Sequence, residues 1–268
     1  MTLDALWPAS WPTIAPWSGV LAALAAALAW AGALRALHRR DLAALGAALG
    51  LAAGWAVTLG LPVASPRQLA ERLPLLAAGG SAAGLAMAFL AGGRAWRVAL
   101  GAGTVLAAGA WWLAGAPTAA ADLRRALVLI VAFGAATAVA AQELRSPARA
   151  TAAFAVLLAA WWIAQPTGPW LVLAAVGVSA AFGAWPGCAP WTVPAALPVG
   201  LCLAGLAAGP VLGRGTAADW TAAAAPFAAL SLGPAFAARI GGKAGAAVGW
   251  LTAGGVPLLL TWLLARGA

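Results

Sequence analysis

The chain is 268 residues long, 64% of them apolar and only 8% charged, with a mean hydropathy of +0.95. So few charges cannot cover the surface of a water-soluble domain of this size, and the composition implies an all-α, polytopic membrane helix bundle without a soluble domain. The formal charge of +9 is spread singly or in pairs between apolar stretches, which excludes a nucleic-acid surface and makes the lipid bilayer the partner that the charges address.

Tyr is missing, and a single Lys, Lys243, stands against fourteen Arg. The scarce residue types have AT-rich codons, so a GC-rich bacterial genome accounts for much of the Ala, Arg and Trp content, and their abundance carries no chemistry by itself. Two cysteines, Cys188 and Cys202, lie in apolar surroundings and fit small buried side chains better than a disulfide or a metal site.

The first sixteen residues hold Trp7-Pro8, Trp11-Pro12 and Pro16, next to Trp17. Prolines at this spacing oppose a helix, and the segment 1–16 reads as an extended strap along the outer membrane interface. Asp4 is its only charge, so the positive start of a secretory signal is missing and the first apolar run reads as a retained span.

A spanning helix needs roughly 20 mainly apolar residues. Runs of that kind, separated by charges, Pro or Gly, predict ten spans at 17–36, 42–61, 73–92, 97–115, 124–142, 148–165, 169–186, 192–210, 219–238 and 244–264. The segment 17–268 is then a single bundle, with halves at 17–145 and 146–268. A five-helix unit repeated once would sit inverted, an outline that small ten-helix permeases share.

Alternating the connections puts Arg35, Arg39, Arg40, Arg94, Arg97, Arg145, Arg149, Arg239 and Lys243 on one side with Asp41 and Glu143. Nine basic less two acidic residues give +7 there. The other side holds Arg67, Arg72, Arg124, Arg125, Arg214 and Arg266 with Asp4, Glu71, Asp122 and Asp219, six less four, or +2. The more positive side is expected in the cytoplasm, which places both termini outside and the protein in a bacterial inner membrane. Eleven Trp, among them Trp55, Trp112, Trp161 and Trp170, then fall near the outer interface as a belt.

Small residues recur at every fourth position: Gly46, Gly50, Gly54; Gly80, Gly84, Ala88, Gly92; Gly205, Gly209; and Gly241, Gly245, Gly249, Ala253. Each run lines one helix face and predicts close pairing, within the chain or between copies. Proline crowds the second half. The stretch Trp185, Pro186, Cys188, Pro190, Trp191 and Pro194 reads either as an inner turn or as a broken helix lining a ligand cavity.

Charge chemistry is sparse. Every Asp and Glu maps to a loop or span end, His38 lies in an Arg-rich loop, and one His with two Cys cannot build a haem, zinc or iron–sulfur site, so neither metal nor cofactor is expected. Ser81, Ser179 and Ser231 have no base nearby in sequence, and no catalytic residue stands out. Arg67, Arg72, Arg124 and Arg125 are the candidates for an anion or lipid headgroup. Neutral polar groups such as Thr58, Thr104, Thr137, Gln142, Thr192 and Thr252 suit either a weakly polar solute or contacts between helices. The expected function is a permease or exporter for a small, weakly polar solute; a non-catalytic structural or assembly subunit of a larger complex is the alternative, and a lipid-acting membrane enzyme the third. A polar cavity open to one side near 185–198 favours the first, a solid bundle the second.

Overall fold

The computed structural model describes residues 15–60, 68–90, 94–187 and 190–266. Arg67, Cys188 and the strap residues Trp7 to Pro12 lie outside them.

Ala- and Leu-rich runs of high helix propensity become helices throughout. They are α1 (Ala15–Ala36), the single turn α2 (Arg40–Ala43), α3 (Gly46–Leu59), α4 (Leu69–Leu90), α5 (Ala95–Leu113), α6 (Ala120–Glu143), α7 (Pro147–Ala164), α8 (Trp170–Gly183), α9 (Val193–Gly213), α10 (Ala217–Ile240) and α11 (Gly242–Arg266). Each of the ten stretches chosen on apolar character holds one long helix. Seven of these, α1, α4, α6, α7, α9, α10 and α11, are long and apolar enough to cross a membrane. The chain is therefore an all-α, multi-spanning membrane bundle.

The other three differ for identifiable reasons. α5 has 19 residues but carries Arg97 in its first turn. α3 and α8 have 14 residues each. α3 is preceded by α2 across Ala44 and Leu45, both right-handed helical, so the helical path runs from Arg40 to Leu59 with a break in hydrogen bonding. α8 continues through Ala184 into a tight turn at Trp185–Gly187.

α9 is the axis of the bundle. From Pro194 to Val211 every residue except Ala208 is buried, among α3, α4, α5, α6, α8 and α10. α1, α3 and α8 form a second packed group, and α7 joins α8 to the α10–α11 hairpin. Pro198 and Pro210 lie inside α9 without interrupting it. The described residues of 185–198 favour the inner-turn reading over the broken helix: there is a tight turn at Trp185–Gly187 and one continuous helix from Val193, whose interior prolines are absorbed because protein surrounds them.

Glycine sets the spacing. A Cβ on Gly50 would lie 2.7 Å from the Ala23 carbonyl oxygen and 3.0 Å from Ala180, and one on Gly54 would lie 2.5 Å from Val176. The face Gly46, Gly50, Gly54 is thus consumed by α1 and α8 of the same chain. Gly249 would meet the Ala237 nitrogen at 2.5 Å and Gly245 the Ala237 oxygen at 3.0 Å, so that face pairs α11 with α10. Gly241 belongs to neither face: it is the one-residue turn between those helices, with φ +71° and open space around it. These glycine faces build the fold and are not surfaces held open for a second copy.

Tryptophan divides into two groups. Trp17, Trp111, Trp162, Trp220 and Trp262 are exposed, as a lipid-facing belt requires, but Trp55 and Trp161 are fully buried. Trp55 sits between α3 and α8 and donates its indole N–H to the Leu173 carbonyl at 3.1 Å. In so Ala-rich a core a single large ring fills space that several small side chains leave. Trp55→Phe keeps most of that volume and loses the donor, with an expected cost of about 1 kcal/mol, readable as a lower melting temperature in detergent.

Hydroxyl groups mostly return to their own helices. Thr58, Ser81, Thr104 and Thr252 each donate to the carbonyl four residues earlier, the usual way to satisfy a hydroxyl in lipid. Thr261 on α11 also donates to Thr221 on α10 at 3.0 Å, a bond between helices.

Candidate functional site: a one-sided cleft beside α5

α5 is packed at only one end. Its buried residues are Gly109, Ala110 and Leu113, all near its C-terminus. There a Cβ on Gly109 would lie 2.6 Å from Leu201, and Leu113 covers Gly205 of α9. A reciprocal pair adds to this hold: Arg72 Nη1 donates to the Trp112 carbonyl at 2.8 Å, and Trp112 Nε1 donates to the Arg72 carbonyl at 3.2 Å. The guanidinium also lies 5.8 Å from the indole centroid, within cation–π range.

Toward its N-terminus α5 leaves the bundle. No residue from Ala95 to Ala108 is buried, and a cleft of about 800 Å³ separates this half from α4, α6 and the start of α9. Two smaller voids continue along the α4–α5 seam. One of about 510 Å³ shares Met87 with the cleft, and one of about 250 Å³ reaches Gly109 and Trp112. The seam therefore narrows from the Arg145 end to the Trp112 end.

Most of the cleft wall is apolar, with Met87, Val98, Ala102 and Val193 among its members; Gln142, Arg145, Trp191 and Thr192 supply the polar groups. A few polar groups in an apolar wall are the usual make-up of a small-molecule site, and the volume is in the usual range. The Trp191 backbone N–H donates to the Arg145 carbonyl at 2.9 Å, which fixes the entry to α9 against the α6–α7 connection. Arg145 Nε donates to the Gln142 carbonyl at 2.9 Å. Arg149 is occupied nearby by the Glu143 carboxylate at 3.2 Å. Thr192 is the N-cap of α9, its side chain making no capping bond, and Pro194 in the first turn has no N–H to offer.

Trp191 is 6% exposed, and its indole N–H has no acceptor among the described residues. A buried donor left unpaired costs about 1–3 kcal/mol, so this is an unusual group to find in the wall of a cleft. Thr137 Oγ1, one turn before Ala141 of the same wall, is likewise buried and without a partner.

Of the cavity candidates named from sequence, the structure brings Trp191 and Pro194 to the cleft. Trp185 and Pro186 lie elsewhere: Trp185 stacks near Phe182 with centroids 5.6 Å apart, and the Pro186 carbonyl accepts from Arg35. Pro190 is exposed. Sequence reasoning missed the α4 and α5 residues of the wall, and it treated Arg145 only as a loop charge. The anion candidates do not form one site. Arg72 is engaged with Trp112, while Arg124 and Arg125 are exposed on α6. Among the described residues no three of His, Cys, Asp and Glu come together.

The far end of the bundle is closed by a second polar cluster. Arg214, after α9, donates to the Ala164 and Gln165 carbonyls at the end of α7 and to the fully buried Asp219 carboxylate at 2.5 Å. Asp219 in turn accepts from the Thr216 N–H and hydroxyl, completing a capping box at the start of α10.

No protein family, curated protein or solved structure compared with this chain gives a match.

Proposed function

We propose that the chain is a permease or exporter that takes a small amphiphilic solute into the cleft beside α5. The cleft is the observation that carries this reading: it is partly polar, lies at the Arg145 end of the bundle, is continued toward Trp112 by two smaller voids, and is flanked by a helix whose buried residues are all near its far end. Rocking of α5 about the Gly109–Leu113 contact would close the inner mouth against Trp191 to Pro194, the alternating access expected of such folds.

All ten long helices cross the bilayer in this reading, and hydrogen bonds between loops support that count. Arg35, after α1, bonds Pro186, after α8; Trp191, before α9, bonds Arg145, after α6; and Arg72, at the start of α4, bonds Trp112, at the end of α5. Bonded partners share one side of the membrane, so an even number of crossings separates each pair. Given that α7 crosses, the Trp191–Arg145 bond requires α8 to cross as well. The Arg72–Trp112 bond requires α5, and the Arg35–Pro186 bond then requires α3. The helical path Arg40 to Leu59 supplies roughly 30 Å for that last crossing. The cleft mouth lies on the side that carries Arg35, Arg39, Arg94, Arg97, Arg145 and Arg149, which the positive-inside rule makes cytoplasmic in a bacterial inner membrane.

The test is labelling of Ala99→Cys, an exposed residue of the cleft wall, in a background with Cys188 and Cys202 changed to Ala. A membrane-impermeant maleimide is expected to modify it in inside-out vesicles and not in right-side-out ones. Protection from both sides would mean a lipid-filled cleft and would remove the basis for the permease reading.

A further inference from the structure

We infer that a zwitterionic phospholipid of the phosphatidylethanolamine kind binds in a slot between α6 and α10, with its phosphate on Arg125 and one acyl chain against Ala208. The slot has a volume of about 240 Å³ and shares no residue with the cleft beside α5, so the inference stands apart from the permease reading. Leu129 and Ala136 of α6 form one side, Trp220 and Phe227 of α10 the other, and α9 the floor. Ala208 belongs to that floor and is the one residue left uncovered in the otherwise buried stretch of α9 from Pro194 to Val211. α10 packs mainly on α11 and α7, which leaves its seam with α6 open.

The wall excludes water and polar solutes. The Trp220 indole nitrogen is its one polar side-chain atom, whereas an ordered water needs about two to four polar partners. Leu129 to Ala136 and Trp220 to Phe227 each rise by about 10 Å. Beyond them the seam of α6 with α9 is shut where Gly200 packs on Thr137 and Ala140. One leaflet offers about 15 Å of hydrocarbon, half of a core of about 30 Å. An acyl chain fits that depth, while a spanning helix of a partner needs a seam that runs the whole core.

Charge at the mouth supplies the headgroup. α6 and α9 run antiparallel, since Gly200 meets Ala140 while Leu129 and Val211 share the slot; Arg125, one turn before Leu129, is therefore level with the end of α9. Asp122, Arg125, Leu129, Ala132 and Ala136 follow one another at three or four residues and lie on one face of α6. From water inward that face is negative, then positive, then apolar. The lipid presents ammonium, then phosphate, then acyl chain, the complementary order. Asp122 and Arg125 are exposed, and neither side chain makes an ion pair or a hydrogen bond among the described residues. Trp220, 63% exposed, stands at the same mouth, where an indole suits the headgroup level. Arg124 is displaced by about 100° round the helix and serves as the control.

The experiment is native mass spectrometry of the purified full-length protein in detergent, titrated with palmitoyl-oleoyl phosphatidylethanolamine and with the matching phosphatidylglycerol. One phosphatidylethanolamine per chain is expected, held about threefold more tightly than phosphatidylglycerol, with the preference lost in Asp122→Asn. Arg125→Gln should weaken it about fivefold and Arg124→Gln leave it unchanged. Ala208→Leu fills the floor and should weaken it at least as much as Arg125→Gln. Arg125 is exposed, so its substitution reads binding rather than folding, and melting curves in lipid-free detergent check the same for Ala208→Leu.

Equal sensitivity to Arg124→Gln and Arg125→Gln overturns the inference, because surface charge alone would then hold the lipid. Binding that survives Ala208→Leu in a folded protein overturns it, as does equal or tighter retention of phosphatidylglycerol. A lipid-free homodimer that Ala208→Leu splits would make the slot a helix interface and overturn it too.

Discussion

Gly249→Ala is expected to melt about 5 °C below the unsubstituted chain, while Gly255→Ala melts at or slightly above it. Both glycines lie on α11, so helix propensity favours Ala at each by up to about 1 kcal/mol. The difference is in what the new methyl group meets. At Gly249 it would lie 2.5 Å from the Ala237 nitrogen, 2.7 Å from the Gly233 oxygen and 2.9 Å from the Ala237 Cα. All three are backbone atoms of a helix and cannot swing aside, so α10 and α11 must separate along their length. Overpacking of this kind costs about 1–3 kcal/mol, which outweighs the propensity gain. At Gly255 nothing lies within 4 Å, and only the propensity term remains. Thermal unfolding in one detergent, both variants side by side, measures the contrast; equal shifts would mean that the α10–α11 contact is looser than described.

That contrast shows what was legible in the chain. Four-residue spacing of small residues identified Gly46, Gly50, Gly54, Gly245 and Gly249 as faces where backbones meet, because a pattern on one helix is a local property. Which helix meets the face is a property of the whole arrangement, and the Gly46 to Gly54 face turned out to serve α1 and α8 together. Gly241 continued the same spacing yet serves a turn, since its φ of +71° is a requirement that spacing alone does not express. The helices themselves were readable for a simple reason. Ala–Leu runs of about 20 residues bounded by Arg, Pro and Gly have one stable form in lipid, where every backbone group must bond internally.

The site was less legible. Trp55 and Trp161 have the same composition around them as the belt residues Trp111 and Trp162, and only the packed bundle separates rings that fill a core from rings that meet lipid. Proline density drew attention to 185–198, which holds Trp191, Thr192 and Pro194 of the cleft. The opposite wall comes from α4 and α5, some hundred residues earlier. The available signal was the weak apolar character of α5, with Arg97, Gly101, Gly103 and Thr104 in its first half. A helix that gains little from burial there is the one most easily left apart from its neighbours.

Arg214→Ala is expected to destabilise the protein more than Asp219→Ala, and the double substitution less than the sum of the two. The asymmetry comes from burial. Asp219 has no exposed surface, whereas the Arg214 side chain is 32% exposed. Removing Arg214 strands a carboxylate in the bundle with Thr216 as its one remaining partner among the described residues, a situation that costs about 3–5 kcal/mol. Removing Asp219 takes away the capping box of α10, worth about 1 kcal/mol, together with one charged hydrogen bond. Arg214 then still holds the Ala164 and Gln165 carbonyls and can reach water. In the double variant no charge is left buried, so the stranding cost disappears and part of the Arg214→Ala loss is recovered. A double-mutant cycle from denaturant unfolding in detergent gives the coupling directly. Additive losses would mean that Asp219 holds its place through the helix cap alone, and that the junction of α7, α9 and α10 does not depend on the ion pair.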